Sequence, residues 1–283
     1  MRVTIFGASG LLGKDLLGKD ILREWSGDTL TGLSSRDADI RDAQRVRQVV
    51  QETRPEWIVL AAAYTDVDGC ESNSELAFAV NRDGPVNVAA AAKEVGARLL
   101  FLSSDYVFDG KSNVPYETGD ARNPQSVYGQ TKAEAEVKLL ESMPDCCIAR
   151  TSWLFGAGGK CFPDTILKLA ASRPALDVVN DQRGCPTYAV DLARAIAQLC
   201  RKNASGIVHV TNAGDCTWFD FAEEIVRGVG LPTNVRPVSS QQMARPAPRP
   251  AYSVLSPARL QVLGIEMPSW QDALQRYLEQ RQS

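Results

Sequence analysis

The residues most suggestive of chemistry are Tyr128 and Lys132, four positions apart in the segment SVYGQTKAEAE. Residues at this spacing lie on one face of a helix. A tyrosine hydroxyl has an ordinary pKa of about 10, which is too high for efficient proton exchange at neutral pH. A nearby ammonium favours the phenolate and lowers that pKa. The spacing therefore predicts a proton donor or acceptor with its charge partner, although ordinary helix surfaces also carry such pairs.

A second hydroxyl group comes from two serines that end the apolar run RLLFLSS. Ser103 and Ser104 close this run, which has the composition of a strand, some 24 residues before the tyrosine. A serine at a strand end could hydrogen-bond the carbonyl group on which Tyr128 acts. A serine in such a place also serves often as a turn or capping residue, and the sequence leaves both roles open for Ser104.

Glycines lie between the first apolar run and the first helical pattern, in the segment GASGLLG. Gly7, Gly10 and Gly13 permit a tight turn and a close approach of the backbone to a phosphate. Their spacing, Gly-x-x-Gly-x-x-Gly, differs from the Gly-x-Gly-x-x-Gly fingerprint, but the segment follows a strand and opens an amphipathic helix. The position favours a dinucleotide-binding loop over a plain strand–helix turn.

The end of the second predicted strand bears on the choice of dinucleotide. An acidic residue there would bond the ribose 2′-hydroxyl of NAD, but the segment LSSRDAD begins with Ser34, Ser35 and Arg36. Arg36 could pair with a 2′-phosphate, and the serines could hydrogen-bond it. This pattern favours NADPH as cofactor. If Arg36 is only a solvated loop residue, NADH is accepted as well.

Strand-like and helix-like segments alternate from Arg2 to about residue 150. This order predicts an α/β fold with a doubly wound, Rossmann-type parallel sheet, in which ligands bind beyond the carboxyl ends of the strands. Residues 1–150 are expected to form the dinucleotide-binding domain. Residues 151–283, which are richer in glycine and proline loops, are expected to form mainly a smaller C-terminal substrate-binding lobe, with segments such as IVHVT returning to the main sheet.

Composition excludes several classes of function. The 283 residues are 44% apolar and 23% charged, and their net charge of −3 argues against nonspecific nucleic-acid binding. No apolar run approaches the length of a membrane span, and the first residues lack the pattern of a signal peptide. Seven cysteines without a Cys-x-x-Cys pair, and a single histidine, indicate reduced thiols and no metal site. We expect a cytoplasmic protein with no membrane or nucleic-acid partner.

Longer stretches resemble the dTDP-4-dehydrorhamnose reductases, within the extended short-chain dehydrogenase/reductase superfamily. The resemblance is carried, in order along nearly the whole chain, by AAAYTDVDGCE, LSSDYVFDG, VYGQTKAEAE, ARTSWLFG, VNDQRGCPT and RPAYSVL. It implies reduction of the 4-keto group of dTDP-4-dehydro-L-rhamnose, the step that yields dTDP-L-rhamnose for cell-surface polysaccharides. The partner is then a dTDP-linked 4-keto sugar.

The resemblance also assigns site residues. It implies that the pyrophosphate of the cofactor lies on Gly10, Leu11 and Leu12. It implies that the adenine lies near Asp39 and Ile40, and that the nicotinamide side is lined by Ala63, Tyr64 and Thr65. For catalysis it implies the hydroxyl of Ser104, the acid Tyr128 and Lys132. For the sugar nucleotide it implies Asp105 and Trp153, with Arg249 near the diphosphate.

Four positions qualify the resemblance. Ser104 stands where the family usually has threonine, and Asp66 replaces a commonly small residue. Some members of the family dimerise through magnesium bound by acidic side chains. Asp15 could match one of these carboxylates, but Val190 stands where another is expected. We therefore expect no metal and a monomer or a weak homodimer.

Two other functions remain open at the level of sequence. The first is a reductase or epimerase that acts on a different nucleotide sugar with the same core. The second is a noncatalytic protein on this fold, such as the regulatory subunit of methionine adenosyltransferase. The presence of Ser104, Tyr128 and Lys132 together argues against the second, because a binding module does not need all three.

Overall fold

The computed structural model describes residues 1–21 and 23–282, apart from the side chains of Asp20 and Gln282. Its strands are β1 (Arg2–Phe6), β2 (Thr29–Leu33), β3 (Trp57–Leu60), β4 (Arg98–Ser104), β5 (Cys147–Thr151), β6 (Leu154–Phe155), β7 (Ala175–Val179), β8 (Arg183–Gly184), β9 (Thr187–Tyr188), β10 (Gly206–His209), β11 (Cys216–Thr217) and β12 (Asn234–Val238). Its α-helices are α1 (Leu11–Leu16), α2 (Ala43–Thr53), α3 (Val67–Ser72), α4 (Ser74–Phe78), α5 (Gly84–Val95), α6 (Val127–Ser142), α7 (Phe162–Ala170), α8 (Ala189–Arg201), α9 (Trp218–Gly228), α10 (Ala258–Val262) and α11 (Trp270–Gln282).

A parallel sheet with the strand order β10-β5-β4-β3-β1-β2 forms the centre of the fold. Every neighbouring pair in it is parallel, and Phe6 of β1 lies opposite Leu33 of β2 on one side and Leu60 of β3 on the other. The chain therefore runs outward from β1 in both directions, which makes the end of β1 the topological switch point of the sheet. The predicted doubly wound α/β fold is confirmed.

Alternating side chains of each strand supply two separate cores. On one face Ile5 and Leu100 pack with the buried sides of α1 and α8. On the other face Phe6 and Phe101 pack with α2, α5 and α6. Because both faces are covered, the strands are apolar throughout rather than alternating with polar residues.

The chain beyond β5 builds short two-stranded ladders and returns once to the main sheet. The ladders are β6 with β9, β7 with β12 and β8 with β11, and α7 and α9 pack against one another beside them. Strand β10 instead pairs in parallel with β5, so that Ile207 lies opposite Ile148. The main sheet is thus completed by a segment far along the chain.

Some elements differ in length from what the sequence pattern predicts. The amphipathic pattern that begins at Leu11 extends to the apolar residue Ile21, but α1 ends at Leu16 and Ile21 falls in a separate 3-10 turn, Lys19–Ile21. Strand β3 ends at Leu60 although the apolar run continues to Ala63. The N–H group of Ala61 makes the last bond to β1, at 3.0 Å from the carbonyl oxygen of Phe6, because β1 turns away at Gly7.

A buried polar network lies behind the carboxyl ends of β4 and β5. Glu136 of α6 accepts bonds from Arg150 at 2.6 and 2.8 Å, from Arg122 at 2.5 Å and from the hydroxyl of Ser103 at 2.6 Å. The side chains of Glu136 and Arg150 are both fully buried, and His209 of β10 lies 3.3 Å from Arg150. The network joins α6, β4, β5 and β10 directly behind the candidate site.

Candidate active site

A cleft of about 660 Å³ opens at the carboxyl ends of β1, β3 and β4, at the switch point of the sheet. It gathers residues that the sequence places more than 200 positions apart. The predicted site residues that line it are Gly7, Gly10, Leu11, Leu12, Gly13, Asp39, Ile40, Ala63, Thr65, Ser104, Asp105, Tyr128, Lys132 and Trp153. The cleft therefore contains each predicted catalytic side chain together with the glycine loop.

The glycine loop is shaped for close backbone approach. Gly7 has φ +92°, and a Cβ atom there would lie 2.6 Å from the backbone nitrogen of Ala62. A Cβ atom on Gly13 would lie 2.1 Å from the carbonyl oxygen of Gly7, so helix α1 can pack this tightly on the loop only with glycine. The floor of the cleft is consequently backbone, which suits a bulky phosphate group.

One end of the cleft is lined by Ser35, Asp39, Ile40 and Arg41. Arg41 donates to Asp39 at 2.5 Å, and this hydrogen bond holds the pKa of the carboxyl below its ordinary value. Arg36, the residue predicted to meet a 2′-phosphate, is exposed and does not line the cleft. Arg41, which the sequence pattern did not indicate, is the arginine that lines the cleft.

The loop after β3 is held by a residue that sequence reasoning missed. Asn81 is buried, and its side chain accepts from the N–H group of Tyr64 at 2.8 Å and donates to the carbonyl of Tyr64 at 2.9 Å. Asn81 lies in a π-helical turn, Ala79–Asp83, between α4 and α5. The clamp presents Ala63 and Thr65 to the cleft, whereas Tyr64 itself does not line it.

Ser104 and Tyr128 face each other from β4 and α6. The hydroxyl of Ser104 donates to Asp105 at 2.9 Å and accepts from the N–H group of Tyr106 at 3.2 Å. Helix α6 begins with Ser126 as its N-cap, and a Cβ atom on Gly129 would lie 2.2 Å from the carbonyl oxygen of Tyr106. Gly129 thereby lets α6 approach the end of β4 closely enough to bring Tyr128 beside Ser104.

The pKa of Tyr128 moves in the direction opposite to the sequence expectation. Desolvation of its hydroxyl raises the pKa above the ordinary value, a hydrogen bond with Ser104 lowers it, and the charge of Asp105 adds to the rise. The expected lowering by Lys132 does not appear, because that ammonium turns toward a backbone carbonyl. At neutral pH Tyr128 is therefore a phenol.

Lys132 is 2% exposed, and its ammonium donates to the carbonyl oxygen of Leu102 at 2.5 Å. It also lies 4.3 Å above the ring of Phe101. Burial lowers the pKa of Lys132 to about 7, and the charge of Glu136, one turn along α6, opposes this shift. The lysine is thus held in one place beneath Tyr128 on the same helix.

Asp105 supplies the buried carboxyl group of the site. It is 1% exposed, and desolvation raises its pKa to about 6, although hydrogen bonds from Ser253 and Ser104 lower it. A group with this pKa exchanges its proton near neutral pH. Asp105 also borders Tyr128 closely enough for its charge to raise the pKa of the phenol.

The opposite wall of the cleft is aromatic. Trp153 stacks on Trp218 with ring centroids 3.5 Å apart and planes inclined by 7°. Arg249 lies outside the cleft lining, where it pairs with Asp68 at 3.0 Å and donates to the carbonyl of Ala247 at 2.8 Å. The predicted diphosphate residue is therefore near the site and already has an acidic partner.

Comparison with known proteins agrees with this geometry. The family model described as the RmlD substrate binding domain matches residues 1–283. A dTDP-4-dehydrorhamnose reductase from Streptomyces griseus is 43% identical over 281 residues, which cover 96% of this chain and 91% of the relative. The chain belongs to the dTDP-4-dehydrorhamnose reductase family. The resemblance inferred from the six sequence stretches is confirmed.

Two further relatives are similar to the chain over most of its length. A dTDP-4-keto-6-deoxy-D-glucose reductase from Streptomyces niveus is 41% identical, covering 90% of this chain and 88% of the relative. The structure of dTDP-4-dehydrorhamnose reductase from Bacillus anthracis in complex with NADP superposes with a TM-score of 0.95 and 38% identity, covering 99% of both chains. The fold and the family are thus supported over the full length.

Several residues that line the cleft were not selected from the sequence: Ser9, Arg41, Tyr106, Thr151, Ser152, Lys160 and Trp218. Tyr106 packs edge-on against Tyr128, with ring centroids 5.6 Å apart. Its place directly after Ser104 and Asp105 in the sequence could have indicated that it lies at the same strand end. Trp218 offered no such signal, because it begins a helix 65 residues beyond Trp153.

Within residues 1–21 and 23–282, no cluster of three or more His, Cys, Asp or Glu side chains is arranged to hold a metal ion. Over the same ranges no helix is both long enough and apolar enough to cross a membrane. All seven cysteines are buried free thiols.

Proposed function

We propose that the protein reduces the 4-keto group of dTDP-4-dehydro-L-rhamnose to give dTDP-L-rhamnose, with NADPH as the reductant. The observation that carries this proposal is the convergence of Ser104, Tyr128 and Lys132 beside the glycine loop in one cleft. Family membership supplies the substrate class, and the Bacillus anthracis relative in complex with NADP supports the cofactor. The enzyme is an NAD(P)-dependent oxidoreductase.

The glycine loop fits the cofactor, because the lack of side chains at Gly7 and Gly13 lets the loop pack tightly against Ala62 and against the start of α1 and leaves its backbone open to a pyrophosphate. Gly10, Leu11 and Leu12 would hold the pyrophosphate, and Asp39 and Ile40 the adenine. NADPH, when bound, supplies the hydride that reduces C4 of the sugar. The protein contributes the orientation of both reactants and the proton.

Tyr128 is the proton donor in this proposal. Its raised pKa keeps it as a phenol, which is the form that a reduction consumes. The proton passes from the hydroxyl to the oxygen on C4 of the sugar, and the resulting phenolate is reprotonated from solvent. Ser104 hydrogen-bonds the same sugar oxygen, so that negative charge developing there is stabilised.

Lys132 and Asp105 act on the hydroxyl groups of Tyr128 and Ser104, respectively. The ammonium of Lys132 donates to the carbonyl of Leu102, and it would turn toward Tyr128 to stabilise the transient phenolate and would bond the ribose of the cofactor. The hydroxyl of Ser104 donates to Asp105, and it would turn from this carboxylate to the sugar oxygen when the substrate binds. We also assign Asp105 and Trp153 to the sugar, and Arg249 to the diphosphate, which would compete with Asp68 for the guanidinium.

The proposal is tested by steady-state kinetics on purified protein with dTDP-4-dehydro-L-rhamnose. Oxidation of NADPH, followed at its absorbance band, should accompany formation of dTDP-L-rhamnose, and NADPH should be preferred to NADH. No consumption of NADPH with any dTDP-linked 4-keto sugar would refute the proposal. If only dTDP-4-keto-6-deoxy-D-glucose were reduced, the protein would instead have the activity for which the Streptomyces niveus relative is named.

Location and assembly complete the proposed function. Seven free thiols suit a reducing compartment, and we propose that the enzyme works in the cytoplasm as a monomer or a weak homodimer. Cell fractionation should recover it with cytoplasmic markers. Light scattering on a dilution series should give the mass of one chain at low concentration, and a fixed dimer at all concentrations would contradict the proposal.

A further inference from the structure

Trp153 lies in a backbone conformation that tryptophan rarely adopts. Its φ of +46° falls in the left-handed region, where a bulky residue is strained unless its surroundings hold it. Its carbonyl oxygen accepts from the N–H group of Thr187 at 3.2 Å, which fixes the backbone between β5 and β6. The side chain is thereby turned into the cleft, and something else must fix the plane of the indole.

Trp218 provides one of the two restraints on that plane. Its indole covers one face of Trp153 at 3.5 Å between ring centroids, and both rings line the cleft. Trp218 is itself held at the first position of α9, since Thr217 and Asp220 form a reciprocal capping box with bonds of 2.9 and 3.1 Å. Phe162 packs on it with centroids 4.5 Å apart.

Gly184 provides the other restraint. A Cβ atom at this buried position would lie 2.6 Å from Cε2 and 2.7 Å from Nε1 of Trp153, so the indole edge rests directly on the backbone. The φ of Gly184 is not positive, and alanine would meet no backbone penalty there. The three atoms nearest to that Cβ atom all belong to Trp153.

We infer that Trp218 and Gly184 are positioning residues for Trp153, and that the two stacked indoles form one aromatic wall that contacts the sugar nucleotide. The inference rests on the proposed function, because it takes the occupant of this end of the cleft to be a nucleotide sugar. The wall carries no charge, so it adds dispersion contact over a broad flat surface. Its effect is on substrate binding, whereas Tyr128 acts on the chemical step.

Three variants separate the two restraints from the stack itself. Trp218→Leu removes the second ring, Gly184→Ala pushes the indole of Trp153 aside, and Trp218→Phe keeps an aromatic face. Trp270→Phe is the matched control, because Trp270 lies in the same part of the chain but does not line the cleft. Urea unfolding identifies any variant that fails to fold.

The kinetic readout should divide between KM and kcat. In Trp218→Leu and Gly184→Ala the KM for the nucleotide sugar should rise about tenfold, with kcat changed less than about twofold and the Kd for NADPH unchanged. Trp218→Phe should recover most of the affinity. Trp270→Phe should match the wild type in each of these constants.

Circular dichroism provides a readout that does not depend on turnover. Two indoles this close should give an exciton couplet in the far ultraviolet, which Trp218→Leu should abolish, Gly184→Ala should reduce and Trp270→Phe should leave intact. An unchanged KM in a folded Trp218→Leu variant that has lost the couplet would overturn the inference. Failure of the wild type to reduce any dTDP-linked sugar would instead refute the proposed function, whatever the couplet shows.

Discussion

The hydroxyl groups of Ser104 and Tyr128 illustrate how burial decides chemistry at the scale of one residue. The structure brings the two together through the end of β4 and the start of α6, and the pKa of Tyr128 rises because desolvation outweighs the effect of the hydrogen bond with Ser104. A phenol that is hard to ionise remains protonated over the whole neutral range. The site therefore keeps a proton on Tyr128, and stabilisation of the phenolate by Lys132 would be needed for its transfer to a sugar oxygen.

Replacement of Tyr128 by phenylalanine should remove this proton donor and leave the cleft intact. We expect kcat to fall by roughly 10² to 10⁴, the usual contribution of a positioned acid. The Kd for NADPH, measured by fluorescence titration, should stay near the wild-type value. Tyr116→Phe is the control, since Tyr116 bonds Asp109 away from the cleft. A Tyr128→Phe variant with wild-type turnover would exclude the proton-donor role.

Asp105 should reduce stability wherever its carboxyl is ionised in the folded protein. Its pKa is raised from 3.8 to about 6, so the cost is absent below about pH 4 and complete above about pH 6. The free energy of unfolding of Asp105→Asn, measured with urea, should therefore exceed that of the wild type by up to about 3 kcal/mol at pH 8. This difference should disappear near pH 4. The turnover of this variant should fall, because Ser104 loses a charged acceptor.

Asp109→Asn is the matched control, because the pKa of Asp109 is shifted in the opposite direction. The pKa of Asp109 is lowered, mainly by the hydrogen bond from Tyr116, so its ionised form favours the folded state. Asp109→Asn should not stabilise the protein at pH 8. Equal pH profiles of unfolding for the Asp105 and Asp109 variants would show that burial of Asp105 carries no cost.

At the scale of elements, the joint between β1 and α1 depends on glycine at one position above others. Gly13→Ala would place Cβ 2.1 Å from the carbonyl oxygen of Gly7, which must push the helix off the loop. We expect the Kd for NADPH to rise by on the order of tenfold or more, about 1.4 kcal/mol. Gly119→Ala, where nothing lies within 4 Å, should bind the cofactor normally. Isothermal titration calorimetry distinguishes the two.

The strands of the main sheet were largely predictable from sequence, because each is a short apolar run ended by a turn residue. The runs RVTIF, TLTGL and RLLFLSS coincide with β1, β2 and β4. The apolar run WIVLAAA extends three residues beyond the end of β3, and composition does not reveal that the neighbouring strand β1 turns away after Phe6. The end of a strand is set by its partner as well as by its own residues.

The candidate site was predictable where one short segment carries the signal. Gly7 to Gly13 and the Tyr128–Lys132 pair are such segments, and the structure places both in one cleft. Asn81 and Trp218 were missed because their roles arise from contacts across the fold, with the backbone of Tyr64 and the ring of Trp153. The sequence pattern points to Arg36 and not to Arg41, because sequence order does not show which of the two side chains lines the cleft.

At the scale of the whole molecule, the buried network around Glu136 should make the fold sensitive to the loss of a single partner. Arg150→Met would leave a fully buried carboxylate short of one partner, and we expect a loss of about 3–5 kcal/mol in the free energy of unfolding. Arg47→Met breaks the exposed pair with Glu94 and should cost less than about 1 kcal/mol. Urea unfolding at pH 7.5 measures both. Similar losses in the two variants would contradict a special contribution from the network.

Because β10 joins the main sheet from a segment that follows β5 by more than 50 residues, truncation of the chain after β5 should have a specific consequence. A fragment that stopped after β5 would leave Cys147 to Thr151 as a bare edge strand, with unpaired N–H and C=O groups along an apolar sheet. Such an edge invites other copies to add to it, so the fragment should aggregate. The first half of the chain is therefore a poor choice as a separately expressed cofactor-binding module or as one piece of a split-enzyme reporter.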